Sequence, residues 1–211
     1  FRLPVDGTDT QKWVLLCNIN PGGPFGGSAT QYFIGDFDGR TFTADTLPDG
    51  TVPVKWLDYG KDHYATVTWS DAPDGRRTAI GWMSNWQYAA EVPTMQFRSA
   101  NTLPRELGIF TGDDGDLYVS SAPSPEVDAL RGKPTVSTSF TVASAGKRFA
   151  LPTANDGICE IALDVDPLGA SEITLTLSNP GGEKSVVTYN PSEHTLSMDR
   201  TQSGITTFSQ D

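Results

Sequence analysis

The stretch "HYATVTWSDAPDGRRTAIGWMS" (residues 63–84) decides the fold class. Two β-favouring runs, "HYATVTWS" (63–70) and "TAIGWMS" (78–84), flank "DAPDGRR" (71–77), whose Asp74-Gly75 pair is a strong hairpin signal. The same rhythm recurs upstream, where "KWVLLCNI" (12–19) and "TQYFIGDFDG" (30–39) are separated by the turn-rich "NPGGPFGGS" (20–28). Short strands and frequent turns predict an all-β chain, arranged either as blades of a propeller or as a sandwich; rhythm alone does not choose between them.

Composition agrees. The 211 residues include 21 glycines and 15 prolines with no collagen-like period, and long helical patterns are missing. A formal charge of −11 argues against nucleic acid or an anionic membrane as partner, because both call for a basic surface. No apolar run approaches the length of a bilayer span. Cys17 and Cys159 lack metal-ligand spacing and read as two buried thiols, although a disulfide between them stays open.

All five tryptophans precede residue 87, and 16 of the 21 aromatic residues lie at or before Phe110. Residues 1–110 carry nine basic and twelve acidic side chains, net −3, against six and fourteen, net −8, in 111–211. This shift predicts two domains, 1–110 and 134–211, joined by a linker at 111–133. The linker contains one helical turn, "SPEVDALRG" (124–132), with Ser124 as its N-cap. Beyond it, "TVSTSFTVA" (135–143), "CEIALDVDP" (159–167), "SEITLTLSN" (171–179), "KSVVTYNP" (184–191) and "HTLSMDRT" (194–201) alternate apolar with polar residues, as sandwich strands do.

One stretch points to a ligand. "GWMSNWQYA" (81–89) sets Trp82, Trp86 and Tyr88 among Ser84, Asn85 and Gln87. Aromatic faces beside paired amide donors and acceptors suit a sugar, which presents C–H faces and many hydroxyls; packing of the indoles into a core is the competing reading.

Taken together, "NINPGGPFGGSATQYFIGDFDGRTF" (18–42), "WLDYGKDHYATVTWS" (56–70), "GRRTAIGWMSNWQYA" (75–89) and "VPTMQFRSANTLPREL" (92–107) strongly resemble glycoside hydrolase family 32, the invertases, levanases and exo-inulinases. Order and spacing match as well as the letters. The resemblance implies part of a five-bladed β-propeller followed by an incomplete C-terminal β-sandwich. It also implies retaining hydrolysis of terminal β-fructofuranosyl bonds in inulin, levan or sucrose, no cofactor or metal, and secretion. On the same basis Trp86 lines the fructose pocket, Asp62 and Tyr64 lie near it, and Asn85 is a candidate for hydroxyl contacts.

The departures are as informative. The WMNDPNG-type motif with the nucleophile, the RDP motif and the ECP motif with the acid/base glutamate are all missing from these residues. In relatives a segment like "FRLPVDG" (1–7) follows closely behind the ECP motif, so the expectation is a fragment starting just after the catalytic acid. No internal pair replaces the missing carboxylates: Asp58 and Asp62 are four apart on a loop or strand, a spacing that fixes no catalytic geometry, and Asp36 and Asp38 read as turn formers. No catalytic residue is therefore expected in this chain. Trp82 is expected in the core, His63 as a half-exposed strand residue, Arg98 in a structural ion pair, and Arg105 and Glu106 in structural roles. A non-catalytic carbohydrate-binding β-domain is the rival reading.

Overall fold

The computed structural model describes residues 1–134, 136, 138–142, 146–151 and 158–209. Two compact units emerge, one of residues 1–127 with 201–211 and one of 128–200.

The first unit holds two antiparallel sheets. In one, the order is β1 (Arg2–Pro4), β2 (Gln11–Ile19), β3 (Ala29–Phe37) and β4 (Phe42–Ala44), with β5 (Lys55–Trp56) also paired to β3. In the other, β6 (Tyr64–Thr68), β7 (Arg77–Met83), β9 (Arg105–Thr111) and β10 (Leu117–Pro123) lie side by side, and β8 (Ala100–Asn101) pairs with β7. The four strands read from the sequence are thus β2, β3, β6 and β7. The β6–β7 hairpin turns where Asp74-Gly75 stands: Gly75 has φ of +74°, which the absence of a Cβ makes inexpensive, and its N–H donates to the Ala72 carbonyl at 2.9 Å.

Alternate residues of the strands build the core. Val14 of β2, Tyr32 and Ile34 of β3, Ala79 of β7, and Leu107 and Ile109 of β9 form one cluster with Leu3, Val5 and Leu57. Val5 and Ile109 form a parallel bridge, reinforced by the Asp6 N–H donating to the Ile109 carbonyl at 2.8 Å.

Strand β6 is irregular. Its register to β7 shifts between Tyr64 and Val67, and Ala65 takes φ of +50°, a strained value for a residue with a side chain. The Asn18 amide compensates: Oδ1 accepts from Thr66 N at 2.9 Å and Nδ2 donates to Thr66 O at 3.2 Å, as a neighbouring strand would. Because Asn18 lies on β2, the same contact ties one sheet to the other.

In the second unit, β11 (Ile173–Ser178), β12 (Lys184–Asn190) and β13 (Thr195–Gln202) form a three-stranded meander. These are the last three strands expected there.

Several expectations are corrected. The boundary expected at residue 110 falls inside β9, because the β9–β10 hairpin supplies core residues to the first unit. "CEIALDVDP" (159–167) has alternation but no pairing partner among the described residues, and a strand exists only through its ladder. The strand expected at 135–143 falls partly outside the described residues; those that are described carry no strand. The helical turn is a 3-10 helix, Pro125–Leu130, and Ser124 Oγ is buried without a hydrogen bond among the described residues, so it does not cap through its side chain. Cys159 is exposed and Cys17 half-buried, both as free thiols.

Candidate functional site

The segment after β7 is a tight turn held from inside. Asn85 is 0% exposed. Its Oδ1 accepts from Ser28 N at 3.2 Å and Gln87 N at 3.0 Å, while Nδ2 donates to the carbonyls of Lys61 at 2.9 Å and of Gly26 and Ser28 at 3.3 Å. Ser28 Oγ in turn accepts from Trp86 N at 3.1 Å. One buried amide thereby fastens three loops: 20–28, 58–63 and 84–92. Asn85 was expected to reach sugar hydroxyls; instead its hydrogen-bonding capacity is spent on backbone and no atom of it is at the surface. The turn-rich "NPGGPFGGS" loop is bonded to itself through Gly23 N to Gly27 O and Gly26 N to Gly23 O, both 3.0 Å, and pinned by Asn85.

With Asn85 inside, its neighbour Trp86 is pushed outward and is 57% exposed. It is not isolated: its ring centroid lies 5.0 Å from that of Trp82, and Trp82 meets Tyr64 edge-on at 6.3 Å. Trp82, expected in the core, is only half-buried and serves as the backing of Trp86. Three rings in a row thus end in one with an open face.

Asp62 is half-buried and accepts a hydrogen bond from the Tyr88 hydroxyl. Lys61 Nζ sits 5.6 Å from the Tyr88 ring centroid. Tyr88 belongs to the aromatic and amide stretch that points to a ligand, but its link to Asp62 has no signal in the sequence.

Behind Asp62 and Tyr64, the intervening His63 points inward and is 3% exposed, not half-exposed as expected. Its Nε2 lies 2.9 Å from Thr66 Oγ1, which is 2.8 Å from Thr30 Oγ1, which donates to Asn18 Oδ1 at 2.7 Å. The imidazole pKa is held below its ordinary value by burial first and by the Arg105 guanidinium second, with the Asp58 carboxylate opposing. Gly81 makes room for the ring, since a Cβ there would stand 2.9 Å from its Cε1.

Asp58 is occupied structurally: Oδ2 pairs with Arg105 at 2.8 Å and Oδ1 accepts from Gly60 N at 2.7 Å. Arg105 and Glu106 hold their structural roles through ion pairs, Glu106 with Arg76 at 3.7 Å, whereas Arg98, expected in such a pair, is exposed and has no ion-pair partner among the described residues. Asp38 accepts from the N–H groups of Arg40 and Thr41 at 2.8 and 2.7 Å, the turn-forming role expected of it.

Aromatic and carboxylate side chains thus stand together on braced loops of an all-β chain, and comparison with known proteins defines its family. Residues 2–121 match the glycosyl hydrolases family 32 N-terminal domain and residues 126–211 match the glycosyl hydrolases family 32 C terminal. The chain belongs to glycosyl hydrolase family 32. It is 38% identical over 212 residues to a levanase of Bacillus subtilis, covering 99% of this chain and 31% of that protein. The crystal structure of exo-inulinase from Aspergillus awamori superposes with a TM-score of 0.78 at 29% identity, covering 100% of this chain and 42% of that one. A β-fructofuranosidase from Schwanniomyces occidentalis complexed with fructosyl-erythritol gives a TM-score of 0.75 at 27% identity, covering 97% and 42%. The chain therefore spans less than half the length of these relatives.

Proposed function

We propose that this chain forms the sugar-holding wall of a β-fructofuranosidase-type glycosidase that removes terminal fructose from inulin, levan or sucrose outside the cell. Membership of the family and the named activities of the relatives support the reaction class. Within the chain, the observation that carries the reading is the exposed Trp86, braced by Trp82 and Asn85 beside the Tyr88–Asp62 pair. Trp86 offers an apolar face to the sugar ring, Asp62 and Tyr64 offer an acceptor and a hydroxyl to its polar edge, and Asn85 positions Trp86 without touching the sugar. The two sheets of the first unit are read as blades of a five-bladed propeller, and the meander as part of a sandwich.

The retaining reaction of such an enzyme needs two carboxyl groups about 5–5.5 Å apart across the scissile bond, one nucleophilic and one proton-donating. Asp58 is bound to Arg105 and Asp62 to the Tyr88 hydroxyl, so each already has a task. In this reading the chain's residues bind and orient fructose and do not attack it.

The test is twofold. Titration with fructose, followed by tryptophan fluorescence, should saturate in the unmodified chain and weaken about tenfold in Trp86→Ala, the loss of roughly 1.4 kcal/mol of ring contact. Release of reducing sugar from sucrose, inulin and levan is then measured on the same sample. Absence of any fructose response would overturn the reading. Turnover abolished by Asp58→Asn or Asp62→Asn with the fold intact would instead assign chemistry to those carboxylates.

A further inference from the structure

Loop 20–28, one of the three that Asn85 fastens, carries an exposed aromatic ring of its own. Within it, Gly26 N donates to the Gly23 carbonyl at 3.0 Å and closes a four-residue turn whose central pair is Pro24 and Phe25. Pro24 fixes its own φ at about −65°, the value that the second position of such a turn needs. Phe25 follows it and stands 58% exposed. A single exposed Phe is ordinary on a protein surface. What sets this one apart is where its turn is fastened.

The turn ends on Gly26, and Gly26 lies against the two residues that bracket Trp86. Its carbonyl accepts from Asn85 Nδ2 at 3.3 Å, and a Cβ on it would stand 2.9 Å from Gln87 Nε2. Further along the loop, Ser28 Oγ accepts from Trp86 N at 3.1 Å. Phe25 is therefore one chain step, about 3.8 Å between Cα atoms, from a residue in contact with both neighbours of Trp86. The two exposed rings belong to different loops but to one junction, and the buried Asn85 amide that braces Trp86 also braces the turn carrying Phe25. A ring carried by a braced turn loses little freedom when a ligand settles on it, so most of its contact energy is kept.

We propose that Phe25 is a specificity-determining residue: it takes the apolar face of the glycosyl unit next to the terminal fructose, while Trp86 takes the fructose itself. That next unit is another fructose in inulin and levan and a glucose in sucrose. A phenyl ring offers C–H contact but neither donor nor acceptor, so it holds either unit without requiring a particular set of hydroxyls. The site thereby distinguishes a fructoside from free fructose while tolerating what the fructose is attached to.

The role of Phe25 rests on the proposed sugar-holding role of Trp86, and the test separates the two. Fructose, sucrose and an inulin-type disaccharide of two fructose units are titrated into the full chain, with tryptophan fluorescence as readout and circular-dichroism melting as the check of folding. Both disaccharides are expected to bind more tightly than fructose. Phe25→Ala should weaken both about five- to tenfold while fructose stays within about twofold and the melting curve is unchanged; Phe25→Tyr, which keeps the ring, should restore them. Trp86→Ala, by contrast, is expected to weaken all three sugars. Disaccharide binding by Phe25→Ala equal to that of the unmodified chain, with Trp86→Ala still impaired, would overturn the role of Phe25 and leave the sugar site standing. So would an equal loss for fructose and the disaccharides in Phe25→Ala, which would mean that the ring acts on its loop and not on a second unit. If the unmodified chain responds to none of the three sugars, the sugar-site reading itself falls, and the role of Phe25 with it.

Discussion

Gly27 and Asn85 are in contact so close that a Cβ on Gly27 would stand 1.9 Å from Asn85 Oδ1. The glycine also takes φ of +65°, so both the space and the backbone demand it. Gly27→Ala is expected to displace the 20–28 loop from Asn85 and to cost about 2–4 kcal/mol. The check is thermal melting, where a drop of roughly 4 °C or more is expected, together with loss of the fructose response.

Asn85→Asp is nearly isosteric, yet it replaces a donor with an acceptor opposite the carbonyls of Gly26, Ser28 and Lys61. Burial and these carbonyls push the pKa of the introduced carboxyl up. The folded state then holds a proton that the unfolded state has lost, so the variant's stability falls as pH rises through and above the ordinary carboxylate range. Melting at pH 4.5 and 7.5 should show a deficit against the unmodified chain that is larger at pH 7.5. A pH-independent deficit would mean that the amide donors do not matter.

Asn18→Ala removes the side chain that completes the bulged part of β6. The buried Thr66 N–H and Thr30 hydroxyl lose a partner, and Asn18 itself is exposed, so water restores part of the loss. The expected cost is about 1–3 kcal/mol, read as a lower denaturation midpoint with an unchanged slope.

His63 is neutral in the fold because burial and Arg105 lower its pKa from 6.5. The unfolded chain binds the proton first, so the contribution of His63 to stability is complete above pH 6.5 and is lost as pH falls from there through the folded pKa. Arg105→Gln removes the cation and leaves Asp58 as the nearest charge, so the folded pKa should rise and the acid-side loss shrink. Titration of the His63 imidazole by NMR checks the direction; a pKa that stays put or falls would show that Arg105 does not act through its charge.

Much of the first unit was legible. β2, β3, β6 and β7 could be read from β-branched and aromatic runs between Gly, Pro and Asp turns, because strand propensity and turn chemistry are local. The Trp86 site was legible only as a composition, aromatic beside amide. That Asn85 lies inside and Trp86 outside follows from which of two adjacent side chains the turn faces inward, and this is decided by Gly26, Gly27 and Ser28 some sixty positions away. His63 was misread for a related reason: its burial is licensed by Gly81 and Thr66, whose hole and hydroxyl appear only once β6 and β7 are paired.

The bridge between Val5 and Ile109 has an entropic consequence. It joins residues far apart in sequence, whereas each hairpin between them is closed by contacts local in the chain. The closure is accordingly a long-range one, and its loop entropy exceeds that of either hairpin between the two residues.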